Sequence, residues 1–202
     1  MIFVLDALVD DLAALPPTEV EDLFTALIDA DRSGRHLVVV DRRLCAWGIE
    51  NVALSGENNK HLARLREQFT TRGNIHKYAH AFLKIVLGNT PVSLIGNHFE
   101  IGHVGFTSGE YATSKTKMIV ENLTTDSRLY EFMLGVAIEQ TVVPSFAVDF
   151  VLGGGDTTVT AFEGEIKKQR ASICVVDTDR VSPCDRLGET AKKVVNHHTN
   201  RN

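Results

Sequence analysis

The chain has 202 residues, 44% of them hydrophobic and 23% charged, which is enough for one large or two small globular domains and excludes a disordered acidic tail. Its net charge of −5 excludes a surface that binds nucleic acid through bulk positive charge. Three cysteines without a CxxC pair, and no apolar run of membrane-spanning length, point to a reducing, cytoplasmic setting without a membrane.

The segment Ile2 to Leu8 reads as a strand ending near Asp6. After Pro16-Pro17, Thr18 and Glu21 stand three apart as a capping box and predict a helix start. Val20, Leu23, Phe24, Leu27 and Ile28 then follow at helical spacing, and Ser33-Gly34 ends the helix. His36 to Val40 reads as a short strand ending at Asp41, and Trp47 to Ser55 fits either element. Leu62, Leu65 and Phe69 mark one face of a helix over about Asn58 to Thr71, and Tyr78 to Leu87 reads as another helix. Strand pieces are expected at Val92–Ile95 and Glu100–Val104. His76, His80, His98 and His103 read as partly exposed, although His76 and His80 at i, i+4 would share a helix face; no HExxH motif joins them.

From Ser108 the pattern becomes regular. Thr116–Glu121 is a strand, and Asp126 or Ser127 caps a helix with Leu129, Phe132, Met133 and Val136 inward. Phe146–Leu152 is a strand running into Gly153-Gly154-Gly155, after which Thr157 caps a helix with Val159, Phe162 and Ile166 inward. Ser172–Val176 is a strand whose apolar residues read as buried on both faces, and a short helix follows near Gly188–Val195. Strand–helix–strand–helix–strand with short joints predicts an α/β fold with a parallel sheet and right-handed crossovers. Ligands of such sheets collect at the carboxyl ends of the strands, where Glu121, the glycine triplet, Asp177 and Asp179 fall.

The pair Asp177 and Asp179 carries the most chemistry. On a strand, the i, i+2 spacing would put both carboxylates on one face, about 6–7 Å apart. Like charges so placed favour a cation between them, and hydrated Mg²⁺ needs only one or two carboxylates. The backbone N–H groups of Gly153–Gly155, with a helix start at Thr157, suit a phosphate, and Lys167, Lys168 and Arg180 are candidate backbone contacts. Eight Lys/Arg against six Asp/Glu from Glu163 onward give a local net of +2, against −7 for the rest, which places a phosphate ligand toward the C-terminal part. Tyr130 falls in the helix pattern and reads as packing, so no tyrosine stands out as a strand-transfer nucleophile.

Three motifs together resemble the Toprim domain of topoisomerases, bacterial primases, OLD-family nucleases and small RNA-maturation nucleases. They are a strand ending in Glu (Ile119-Val-Glu-Asn122), a glycine-rich turn (Val151-Leu-Gly-Gly-Gly-Asp156) and a strand ending in Asp-x-Asp (Val175-Val-Asp-Thr-Asp179). The resemblance covers about residues 115–195. It implies a Rossmann-like parallel sheet, with Glu121, Asp177 and Asp179 as catalytic residues and holding Mg²⁺ or Mn²⁺ for phosphodiester hydrolysis on DNA or RNA. Asp126 fills the place of a further acid, and Gly153, Gly154, Gly155, Thr157 and Arg180 would meet phosphate. Two departures stand out. Asn122 replaces the usual glycine after the Glu, as a residue that tolerates left-handed backbone, and a fourth strand often present in the family is not evident.

The resemblance also suggests a phage-defence or mobile-element role, and admits a partner ATPase or other subunit, or a homo-oligomer. It leaves open a degenerate scaffold that docks on a partner without cleaving anything. Residues 1–107 read as a separate α/β region and 108–202 as the Toprim-like domain. Asp6 and Asp41 at strand ends in the first region faintly resemble a PIN-like nuclease, a third reading in which these acids hold the metal.

Overall fold

The computed structural model describes residues 1–79, 82–96, 98–140, 147–168, 170–180, 182 and 184–199. The fold is α/β with mainly parallel sheets. Two compact units divide the chain, Met1–Ser114 and Lys115–Asn202.

In the first unit, β1 (Ile2–Leu5) pairs in parallel with β2 (Leu37–Val39) on one side and β3 (Phe82–Val86) on the other. β3 pairs in parallel with β5 (His98–Gly102), and β4 (Ser93–Ile95) closes the sheet as an antiparallel hairpin strand. The order is β2-β1-β3-β5-β4. The helices are α1 (Val9–Ala13), α2 (Pro17–Arg32), α3 (Arg42–Asn51), α4 (Gly56–Arg72) and α5 (His103–Ser108). The apolar stripe expected of α2 is buried: Val20, Leu23, Phe24, Leu27 and Ile28 pack with Phe3 and Leu5 in one cluster.

Several local expectations are corrected. α2 starts on Pro17, with Pro16 at its cap and no side-chain cap bond, so the Thr18–Glu21 box is not used. Proline at the first helical position already has the required φ and has no N–H to leave unpaired. The ambiguous Trp47–Ser55 stretch belongs mostly to α3, whose cap is Asp41, its carboxylate accepting the Arg43 N–H at 2.8 Å. Tyr78–Leu87 is not a helix. Its described part holds β3, where Leu83 and Ile85 are buried and Phe82, Lys84 and Val86 only partly so. That period of two overrides the helical reading because β3 lies between two parallel neighbours. His76 sits in a 3₁₀ turn, Ile75–Tyr78, and its supposed helical partner His80 lies outside the described residues. His103 is buried rather than partly exposed. Its Nδ1 accepts the Gly88 N–H at 2.8 Å and its Nε2 donates to Glu19 at 3.1 Å.

The edge strand β2 is sealed by a buried carboxylate. Asp31, at the end of α2, accepts the Val38 N–H at 3.0 Å, the His61 Nε2–H at 3.0 Å and the Arg72 guanidinium at 3.2 Å. All three side chains are under 10% exposed, so α2, α4 and β2 are tied through one charge. Removing it would leave the Arg72 guanidinium buried without its carboxylate. Asp31→Ala is expected to lower the unfolding free energy by about 3–5 kcal/mol in urea titration.

His36 is 3% exposed, stacked on Phe3 with ring centres 4.1 Å apart, and donates from Nε2 to the Ser114 carbonyl at 3.0 Å. Burial, then the positive chain terminus, push its pKa down from the ordinary 6.5 to about 3. The unfolded chain therefore takes up this proton first as pH falls. The stability tied to the neutral ring is complete above pH 6.5 and drains toward pH 3, at up to about 1.4 kcal/mol per pH unit. Urea titrations at pH 7, 5.5 and 4.5 are expected to show that slope, and His36→Phe to show a shallower one.

The second unit holds β6 (Thr116–Val120) between β7 (Val148–Leu152) and β8 (Ser172–Cys174), both parallel to it. Phe146, expected to open β7, lies outside the described residues. α6 (Thr125–Gln140) follows β6, α7 (Thr158–Lys167) links β7 to β8, and α8 (Glu189–Thr199) comes last. α7 lies over Ile119, since the space beside Gly153 is filled by Ile119 and Thr158. In α7 the buried positions are Thr158 and Glu165, with Val159, Phe162 and Ile166 half-buried. β8 is an edge strand and Ile173 is 43% exposed, so its apolar run is not buried on both faces. The expected inner face of α6 is also overturned. Leu129, Phe132 and Met133 are more than half exposed.

Candidate functional site at the carboxyl edge of the second sheet

Parallel pairing brings three chain segments to one edge. Gly153 N–H donates to the Val120 carbonyl at 2.7 Å, and Val175 N–H donates to the Ile119 carbonyl at 2.9 Å. Glu121, the glycine turn and the Asp177–Asp179 segment therefore leave the sheet side by side. The Glu121 carboxyl is half-buried and its pKa is raised, first by burial and then by the charges of Asp177, Asp179 and Asp126. A hydrogen bond from the Asp177 backbone opposes that rise. Four acids thus share one electrostatic neighbourhood. Glu121, Asp177 and Asp179 make no salt bridge to Lys or Arg among the described residues.

The details differ from the strand-based expectation. β8 ends at Cys174, so Asp177 and Asp179 lie in the following segment and the i, i+2 strand geometry does not apply. Asp179 has φ of 52°, the one non-glycine with positive φ among the described residues. Gly188 lies against its side chain: a Cβ at 188 would overlap the Asp179 carboxylate, and Gly188 N–H donates to the Thr178 carbonyl at 2.8 Å. Asn122 is not left-handed. Its Oδ1 accepts the N–H groups of Thr124 and Thr125, while Asp126 accepts the Asn122 N–H at 2.8 Å. Asn122 and Asp126 thus form the reciprocal cap that starts α6, and neither Asp126 nor Ser127 is the cap residue itself.

No three His, Cys, Asp or Glu side chains among the described residues stand close enough together to grip a metal ion as placed. The donor set nevertheless suits one kind of ion. Mg²⁺ keeps several waters and takes one or two carboxylates directly, so outlying acids act through its hydration shell. The group with the raised pKa, Glu121, also has the strongest electrostatic reason to gain a cation.

The glycine turn adds a second feature. Gly154 and Gly155 both have positive φ, 69° and 60°. The N–H groups of Gly154, Gly155 and Asp156 precede the start of α7, and among the described residues no turn or loop backbone hydrogen bond is made by them. Thr157 does not cap α7 with its side chain; its hydroxyl donates to the Gly153 carbonyl instead. The Thr158 hydroxyl below is fully buried without a partner among the described residues. Arg180 and Lys167 are exposed, and Lys168 pairs with Glu165 at 2.9 Å.

Two neighbours escaped sequence reasoning. Lys193 of α8 reaches Asp156 at 2.7 Å, and only the local positive balance hinted at it. Tyr130, read as packing, has its phenol pKa raised by burial and then by Asp126 and Asp177. Its four-residue spacing from Asp126 was the available signal. The N-terminal acids are engaged separately: Asp6 pairs with Lys84 at 2.6 Å, and Asp41 caps α3.

Comparison of the chain with protein-family models, with curated proteins and with solved structures finds no match.

Gly153 is the tightest joint of the turn. A Cβ there would sit 2.6 Å from Thr158 Oγ1 and 3.1 Å from Ile119. Gly153→Ala is expected to destabilise the fold by about 1–3 kcal/mol, read as an earlier urea midpoint, because the added methyl must displace buried neighbours.

Proposed function

We propose that the second unit is a Toprim-like, divalent-cation-dependent nuclease that hydrolyses phosphodiester bonds in DNA or RNA. The observation that carries this reading is that Glu121, the glycine turn and the Asp177–Asp179 segment leave one carboxyl edge of a parallel sheet side by side, where burial and then the charges of Asp177, Asp179 and Asp126 hold the Glu121 carboxyl above its ordinary pKa. An edge that concentrates negative charge, with no lysine or arginine of the described residues on Glu121, Asp177 or Asp179, is suited to a hard cation and a phosphate ester. Glu121, Asp177 and Asp179 would hold Mg²⁺ or Mn²⁺, with Asp126 joining from the start of α6. Such an ion, when bound, polarises a phosphoryl oxygen and makes a bound water acidic enough to attack near neutral pH.

The protein's own groups supply the rest. Glu121, the acid with the raised pKa, is suited to holding a proton at the cluster. The N–H groups of Gly154, Gly155 and Asp156, beside the start of α7, offer donors to a phosphate oxygen. Lys193, bound to Asp156, offsets the charge of the carboxylate that follows the turn itself.

The test is cleavage of plasmid and of RNA with Mg²⁺ or Mn²⁺. Glu121→Gln and Asp177→Asn are expected to lose about 100-fold or more in rate, while Asp6→Asn keeps wild-type activity. Full activity in the first two with loss in the third would move the chemistry to the N-terminal acids. A wild-type chain that cleaves nothing with either metal would favour the non-catalytic scaffold.

A further inference from the structure

The last helix joins the two halves of the candidate site. α8 starts beside the Asp177–Asp179 segment, where Gly188 N–H donates to the Thr178 carbonyl at 2.8 Å and the Gly188 backbone lies against the Asp179 carboxylate. Five residues on, about 7.5 Å along the helix, Lys193 reaches across to Asp156, Nζ to Oδ1 at 2.7 Å. Asp156 follows the glycine turn directly, so the ammonium is held beside the N–H groups that precede α7. Lys115 and Lys117 instead meet Asp149 toward the amino end of the sheet, and Lys168 meets Glu165 past the end of α7. A second sign of a ligand lies in the floor of the turn. Thr158 is 0% exposed, and its hydroxyl, without a partner among the described residues, is turned to Gly153, where a Cβ would meet it at 2.6 Å.

The ion pair itself is open to water, with Lys193 50% and Asp156 84% exposed, and pairs of that kind add little to stability. Its effect is to place the ammonium. A lysine ammonium has three donors, and Asp156 takes one, so a phosphate oxygen at the turn can take another without breaking the pair. The hydrogen bond to Asp156 raises the Lys193 pKa, which keeps the charge at neutral pH. Position separates such a phosphate from the one at the acids. Among the described residues Lys193 makes no salt bridge to Glu121, Asp177 or Asp179, although an ammonium within reach of three carboxylates would be drawn to them. It therefore stands outside the cluster that would hold the metal. We infer that Lys193, with the glycine turn, binds a backbone phosphate of the substrate next to the one that is cleaved. The inference rests on the nuclease reading above and narrows its substrate to a nucleic-acid strand with at least one phosphate flanking the scissile one, rather than an isolated diester.

The experiment compares two substrates on the full chain with Mn²⁺. One is a fluorescein-labelled single-stranded oligonucleotide of about 12 nucleotides, and the other is bis(para-nitrophenyl) phosphate, which has no flanking phosphate. Lys193→Gln is expected to raise KM for the oligonucleotide about 10-fold with kcat kept, and to leave hydrolysis of the small diester unchanged. Lys193→Arg should stay near wild type. Lys192→Gln removes the same charge one residue earlier, where the lysine pairs with Glu189, and should also stay near wild type. Anisotropy of the same oligonucleotide in EDTA reads binding without cleavage. There Lys193→Gln should weaken binding by the same factor and flatten the dependence of log K on log salt by about 0.7, one phosphate contact on a single strand. The inference is overturned if Lys193→Gln changes neither KM nor affinity, or if Lys192→Gln does as much. A parallel fall in kcat on both substrates would overturn it by moving Lys193 to the scissile phosphate. A wild-type chain that cleaves neither substrate sinks the nuclease reading alone if the oligonucleotide still binds and Lys193→Gln weakens it, and sinks both if the oligonucleotide does not bind.

Discussion

Parallel pairing of β6 with both its neighbours is the constraint on which the second unit turns. An antiparallel partner would send its carboxyl end to the opposite edge and scatter the acids. With β7 and β8 both parallel to β6, the chain must leave the sheet three times at one edge, and the Val120 and Ile119 carbonyls fasten two of those exits. The convergence of Glu121, the glycine turn and the Asp177–Asp179 segment is thus a product of topology before it is a product of side-chain chemistry. Desolvation and repulsion among the carboxylates then make the assembled edge electrostatically expensive.

The first unit uses a different logic. Several of its charges are paired within the unit. Asp31 is consumed by Val38, His61 and Arg72, His103 joins Gly88 to Glu19, and Asp6 meets Lys84. Acids at strand ends look alike in sequence whether they cap, pair or stand unpaired. Only the partners distinguish Asp41, which accepts the second N–H of its own helix, from Asp177, which makes no salt bridge among the described residues. For that reason the alternation of strands and helices was readable in the second half, while the roles of individual acids were not.

The misread elements have a common cause. Tyr78–Leu87 carries apolar residues dense enough to satisfy either period, and its place beside β1 and β5 decided for strand. The α6 stripe was recognised correctly as a stripe, but periodicity reports that a face is apolar and not whether anything covers it. Asp177 and Asp179 were placed on a strand because the apolar run continues through Val176, although regular pairing stops at Cys174 and one further bond from Val175. Asn122 was read through a backbone angle when its side chain was the working part. In each case the local pattern was legible, and the distant partner that settles its meaning was not.

Asp179 holds a backbone shape that costs an ordinary residue roughly 1 kcal/mol, and aspartate bears it better than most. Glycine at this position would relax the chain and leave the contact with Gly188 free of a carboxylate. Sequence optimisation for thermal robustness alone would therefore discard this side chain early. Libraries sorted for folding and libraries sorted for chemistry should part company at residue 179 before they do so anywhere in the buried sheet.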